Sequence, residues 1–272
     1  MEQSYGSRRE AGGRQAGYDG CEEWISVNAV SLQGARTRQE DYLLWTRRED
    51  RIIAVVCDGI GGMDNGDIAS RTAAQLLFAD LGNVPPGSDM PSFFRRETEK
   101  LDDAVFSLQY PDGSRMKAGT TVVAVLLLGK TLHWFSVGDS RLYLLRNGRL
   151  QCLTKAHNYA AALDEMKKQK TLDEAWYREE AKKGEWLTSY LGMGIAEQFD
   201  CGSIFFPAAP QEKLLVCSDG LYKTVCQEEL ELYLRQPGGI DRISGLLQEA
   251  IRKKDSPSQD NASWVLIGRK DR

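Results

Sequence analysis

Two turn dipeptides near the middle of the chain restrict its fold more than any other feature. The apolar runs 121–128 and 131–137 flank Gly129-Lys130, and the runs 141–146 and 149–153 flank Asn147-Gly148. Asn-Gly tolerates the left-handed backbone that a type I′ turn needs at both central positions, and a leading Gly suits a type II′ turn. Each pair of runs therefore predicts an antiparallel hairpin. Two successive hairpins predict an antiparallel meander. They disfavour a doubly wound parallel sheet, whose strands need helices between them, and with it a nucleotide-binding α/β domain.

The flanking segments extend the pattern. Short apolar, β-branched runs at 24–30, 42–45 and 52–57 predict strands, as do 203–206, 213–217 and 262–268. Helical spacing over 68–81 places Ile68, Thr72, Leu76 and Ala79 on one face, and over 92–109 places Phe94, Leu101, Val105 and Leu108 on another. Two late helices follow the 213–217 run. The second, 240–254, carries the stripe Ile243, Leu246, Leu247, Ala250 and Ile251. Between the runs 149–153 and 203–206, 158–184 is helical but polar, with Thr171 and Glu174 spaced as a capping box and Gly184 as a stop. Residues 1–20, rich in Gly, Arg, Gln and Ser without apolar periodicity, predict a disordered tail before a single domain spanning 21–272.

Composition narrows the chemistry. A chain that is 42% hydrophobic and 27% charged, with net charge -4, is globular in type and has no basic face for a nucleic acid. Six cysteines without a Cys-x-x-Cys pair, and no apolar run near the ~20 residues of a membrane span, fit a cytoplasmic protein with free thiols. There are two histidines, His133 and His157, too few for most zinc hydrolases. Chemistry must rest on carboxylates. Those stand where apolar runs end or begin: Asp58 after 52–57, Asp139 after 131–137, Asp219 after 213–217, Asp260 before 262–268, and Glu40 and Asp41 before 42–45. Asp-Gly pairs often mark simple turns, and Asp58-Gly59 and Asp219-Gly220 allow that reading singly. Several carboxylates converging on one place would instead require cations. The glycine-rich stretch 59–66 lacks the Gly-Lys-Ser/Thr ending of a phosphate-binding loop.

In order along the chain stand Gly34-Ala35-Arg36-Thr37-Arg38-Gln39-Glu40-Asp41, Cys57-Asp58-Gly59-Ile60-Gly61-Gly62, Ala118-Gly119-Thr120-Thr121, Gly138-Asp139-Ser140-Arg141, Leu153-Thr154-Lys155-Ala156-His157, Ser218-Asp219-Gly220-Leu221 and Asp260-Asn261-Ala262-Ser263. Together these motifs resemble the metal-dependent Ser/Thr protein phosphatases of type 2C, in the compact form of bacterial members. The resemblance runs from about residue 27 to 268. It implies an α+β fold, a four-layer αββα sandwich of two antiparallel sheets flanked by helix pairs. It also implies hydrolysis of phosphoserine and phosphothreonine in proteins by a metal-activated water, opposite a Ser/Thr protein kinase.

A centre of two Mg2+ or Mn2+ ions is implied with it. Asp58 would bridge both, Asp219 and Asp260 would hold one, and Glu40 and the carbonyl of Gly59 would serve the other. Asp139 with Asp219 would match a third, weaker site. Arg36 would clamp the substrate phosphate and Asp41 would orient its neighbours from behind. His157 and Asn158 would open a substrate flap over 158–186. Hard oxygen ligands suit these ions. The sequence departs from the family at Ile60, which replaces a histidine of some members, and at Ala156, which replaces an aspartate. The alternative those departures suggest is a catalytically impaired, metal-binding regulatory domain of the same fold. Cys57 needs no chemical role, since free cysteine beside an apolar run is ordinarily packed.

Overall fold

In a computed structural model of the chain, residues 25–60, 65–169, 173–196 and 198–270 are described. Both turns form as the dipeptides dictate. Asn147 and Gly148 carry φ of 53° and 71° between β6 (Arg141–Arg146) and β7 (Arg149–Cys152), and Gly129 carries 55° between β4 (Val122–Leu128) and β5 (Thr131–Val137).

The hairpins do not continue as one meander. β2 (Asp41–Arg47), β3 (Arg51–Asp58), β4, β5 and β8 (Asp200–Phe205) form one antiparallel sheet in that order. The other has the order β1 (Ile25–Leu32), β10 (Ala262–Arg269), β9 (Lys213–Cys217), β6, β7. The chain crosses between sheets at Gly138-Asp139-Ser140. Gly138 has φ of 98°, and a Cβ there would lie 2.6 Å from the Thr121 side chain, so only glycine permits this crossing. Turn chemistry fixes a hairpin locally; which sheet receives it depends on contacts far away in sequence.

The expected sandwich is present. α1 (Gly66–Gly82) and α2 (Met90–Phe106) cover the β2–β8 sheet, and the later helices cover the β1–β7 sheet. Strand alternation divides the core into layers. In β3, Ile53, Val55 and Cys57 face the α1–α2 layer, while Ile52, Ala54 and Val56 face the opposite sheet. β9 divides likewise, with Leu214 and Val216 between the sheets and Leu215 and Cys217 toward the later helices.

α2 buries the anticipated Phe94, Leu101 and Val105. α1 does not bury the anticipated stripe. Ala69, Ala73, Ala74, Leu77 and Leu81 face the sheet, leaving Ile68, Thr72 and Leu76 at the edge and Ala79 exposed. Alanine allows a close approach of helix to sheet, and this outweighs the larger side chains one position away. Among the later elements, a short helix α5 (Asp219–Tyr222) precedes the two expected ones, α6 (Gln227–Leu234) and α7 (Ile240–Lys254). α7 buries its stripe except Leu246, which sits at the edge. It also buries Ser244, whose hydroxyl accepts the indole N–H of fully buried Trp264 at 2.9 Å.

The polar segment is two helices, α3 (Tyr159–Gln169) and α4 (Glu174–Ala181). α4 is capped by Asp173, which accepts the N–H of Trp176 at 2.8 Å; Thr171 of the anticipated capping box lies outside the described residues, as do the 1–20 tail and 61–64 of the glycine-rich stretch. Among the described residues no helix is long and apolar enough to cross a membrane.

Candidate metal centre

The acids collect where strand ends of both sheets meet. β2 and β3 pair so that Asp41 lies directly opposite Asp58. Like charges in that position repel, so the pair persists only with compensation from elsewhere. The Asp58 carbonyl accepts the Thr121 N–H and the Thr120 hydroxyl, both at 2.8 Å, which fixes the strand end. Gly59 follows, its N–H donating to the Glu40 carbonyl at 3.1 Å. A Cβ on Gly59 would meet the Gly66 carbonyl oxygen at 2.4 Å and the Glu40 carbonyl oxygen at 2.8 Å, so a glycine is required for this approach.

Asp41 is 4% exposed. Its Oδ2 accepts the Ser218 hydroxyl at 2.7 Å, while its Oδ1 is buried without a partner. Burial pushes its carboxyl up to about 7, against the hydroxyls of Ser218 and Ser263, which favour the ionised form. Asp58 is pushed far up by burial, then by the charges of Asp41 and Asp219. Asp139 is raised by burial and by Asp219, and its carbonyl and carboxylate both accept the Tyr222 hydroxyl, at 3.1 and 3.2 Å. Glu40 is raised by burial, tempered by Arg36.

Two cations answer this charge. Arg36 donates to the Asp260 carboxylate at 2.7 Å, and that contact raises its own pKa. Lys223 lies 2.7 Å from Asp219. Among the described residues no three of these groups close into a coordination sphere as placed. Their chemistry fits divalent cations nonetheless. All donors are oxygens, several are buried carboxylates that destabilise one another, and one buried carboxylate oxygen has no partner.

The anticipated residues thus fall into two groups. Asp58 feels the charges of Asp41, Asp219 and Asp139 together, while Glu40 lies beside Gly59 and Arg36 and Asp260 form a more exposed pair. His157 and Asn158 stand apart from the acids. His157 accepts the Gly138 N–H on Nδ1 at 3.0 Å and donates its backbone N–H to the Gly138 carbonyl at 2.9 Å, bracing the turn that delivers Asp139. Burial lowers its pKa, which favours the neutral ring this acceptor role requires. Asn158 caps α3 by accepting the Ala161 N–H at 3.0 Å. Cys57 is fully buried and its thiol is pushed up by burial, as packing alone would have it.

Ser218 and Asn261 stand inside the motifs quoted above and Tyr222 and Lys223 just beyond one of them, but the sequence assigns them no role. Asn261 accepts the Glu40 N–H at 2.8 Å and donates to the carbonyls of Gln33 and Arg38, stapling the 33–40 loop beside Asp260. Ser218 and Tyr222 hold Asp41 and Asp139, and Lys223 takes Asp219. Their motif neighbours are visible, but their partners are far away along the chain.

Two antiparallel sheets between helix layers, with acids gathered from the strand ends of both, define an αββα protein with one strongly acidic end. The family profile described as Protein phosphatase 2C matches residues 33–237. This chain belongs to the protein phosphatase 2C family. It is 25% identical over 233 residues to the serine/threonine phosphatase stp of Listeria welshimeri, covering 83% of this chain and 88% of that one. It is 27% identical over 235 residues to the serine/threonine protein phosphatase PstP of Mycobacterium tuberculosis, covering 84% of this chain and 43% of that longer one. Among solved structures, the PstP catalytic domain in complex with two manganese ions superposes with a TM-score of 0.72 at 25% identity, covering 91% of this chain and 99% of that one. Phosphatase Stp1 of Staphylococcus aureus has a TM-score of 0.76 at 21% identity, covering 96% and 100%, a likeness of fold.

Proposed function

We propose that this protein is a Mg2+- or Mn2+-dependent phosphatase acting on phosphoserine and phosphothreonine in proteins, in opposition to a Ser/Thr protein kinase. The observation that carries the reading is the coupled set Asp58, Asp219 and Asp139, each buried or nearly so and each facing like charges, at the end of a protein phosphatase 2C fold. Such a set is stable at neutral pH when cations share it.

Asp58, Asp219 and Asp260 would hold a divalent pair, with Glu40 and the Gly59 carbonyl also serving it and Asp139 at the edge. A pair bound there supplies an activated water and neutralises phosphate charge. The rest falls to the protein. Asp41, anchored on Ser218, holds the strand end from which Asp219 projects. Asn261 keeps Glu40 and Asp260 side by side. Arg36 is exposed enough to leave Asp260 and meet the phosphoryl oxygens with its planar fork. His157 stays neutral and holds the Asp139 turn, so it moves no proton. α3 and α4 stand beside this end as the surface that sorts phosphoprotein substrates. A cytoplasmic location accords with free thiols at Cys57, Cys152, Cys201, Cys217 and Cys226 among the described residues.

The test is hydrolysis of p-nitrophenyl phosphate and of a phosphothreonine peptide with added Mn2+, against a chelator control. Turnover that requires Mn2+ supports the reading. Mn2+ binding without turnover on either substrate would favour the impaired regulatory domain.

A further inference from the structure

Lys223 is the feature of the acidic end that the proposed function leaves unused. Its backbone N–H donates to the Asp219 carbonyl at 2.8 Å, which closes the single turn of α5. That turn brings the ammonium back over the site. Its Nζ lies 2.7 Å from the Asp219 carboxylate and 3.3 Å from Glu185, which enters from the end of the α3–α4 segment. Asp139 is within electrostatic reach of the same ammonium. Two acids from separate stretches of chain thus hold one positive charge, and Asp139 feels it through space. The Asp219 side chain retains only 16% exposure beneath it.

We infer that the Lys223 ammonium is a tethered cation standing where a third divalent ion would otherwise sit between Asp219 and Asp139, so that this chain takes two ions and not three. The inference rests on the function proposed above. An ammonium on a four-carbon stem is a compact point charge that satisfies a carboxylate by hydrogen bonding. Held by its own backbone, it is present at a high effective concentration that free ions must overcome. It also repels a divalent ion approaching the same carboxylates. Unlike such an ion it has no open coordination position, so it neutralises charge without offering a water to the substrate.

The test is metal stoichiometry in the full chain. Metal-free protein is dialysed against millimolar Mn2+, bound Mn2+ is counted by elemental analysis, and the binding steps are followed by calorimetry. The native chain should take two Mn2+ per molecule. Lys223→Asp, which removes the charge and adds a ligand, should take three, with a weak third step. Lys223→Met provides a second variant without the cation, and Lys223→Arg, which keeps the charge, should return to two. Thermal unfolding checks that each variant is folded. A native chain that binds three ions overturns the inference and leaves the proposed function standing. So do Lys223→Asp and Lys223→Met variants that both stay at two. A native chain that binds no Mn2+ removes the proposed function and this inference together.

Discussion

The acidic end and the α3–α4 segment lie next to each other but are built on opposite principles. The acids stand on strand ends whose backbones are clamped on both sides, as at Asp58, held by Thr120 and Thr121. α3 and α4 bury a single side chain between them, Leu163, and their charges form exposed pairs such as Lys182–Glu179. Such pairs contribute little to stability. What fastens the segment is its base. Tyr159 N–H donates to the Trp186 carbonyl at 2.8 Å and Ala160 N–H to the Gly184 carbonyl at 3.0 Å. The contrast teaches that rigidity is concentrated where charges must be held against their repulsion, while the polar segment beside them is left loosely packed.

The strongest way to break this comparison is at the rigid end. Asp58→Asn should lower Mn2+-dependent turnover by about a thousandfold or more, roughly 4 kcal/mol of transition-state stabilisation. The same change should raise the melting temperature of the metal-free protein, because a repelling buried carboxyl is gone. Near-normal turnover at modest Mn2+ would remove Asp58 from the centre. Arg36→Ala should cost about 2–4 kcal/mol in kcat/KM, the scale of one lost stabilising donor. A fall of less than about tenfold in steady-state kinetics would show that Arg36 does not engage the phosphate.

Glu97 asks whether burial alone is costly outside this end. It lies on α2 at 7% exposure, with Oε2 unpartnered. Burial, and then Asp80, push its carboxyl from 4.5 up to about 7. Between those values the folded chain holds a proton that the unfolded chain releases. The contribution is therefore full below pH 4.5 and is lost as pH rises toward 7. After solvent screening, about 1–2 kcal/mol should separate the ends of that window. Urea unfolding of the native chain and Glu97→Gln across the window should show the slope in the first and a flatter line in the second. Equal slopes would refute the assignment.

The smallest effect is expected at the flap. Replacing residues 159–183 with a short Gly/Ser linker should leave turnover of p-nitrophenyl phosphate within about threefold, since loop closure between paired ends is cheap. The ranking of phosphoprotein substrates should change. A folded, Mn2+-binding deletion that loses the small substrate would place the segment within the catalytic centre, and an unchanged ranking would make it a surface ornament.

What the sequence makes legible depends on the range of each interaction. Asn147-Gly148 and the apolar, β-branched run 52–57 act between neighbours, and both read true. So does the placement of acids at strand ends. The crossing at Gly138 is not legible, because the Thr121 side chain that forbids a Cβ there belongs to another stretch of chain. Nor is the buried face of α1, where alanines facing the sheet win over Ile68 and Leu76. Asn261 stands inside a recognised motif and Lys223 just beyond one, but their roles are defined by Glu40, Gln33 and Glu185, which only folding brings near.

The position of β10 has a consequence for how the molecule is made. It lies between β1 and β9, pairing with both, although β1 is among the earliest described residues and β10 among the latest. During synthesis β1 leaves the ribosome with no partner and must wait, unpaired and half apolar, while the other sheet can already assemble. A chain that stops short of β10 keeps two open strand edges, which invite aggregation. It also lacks Asp260, so truncated products carry the hazard of exposed edges together with an incomplete acidic end.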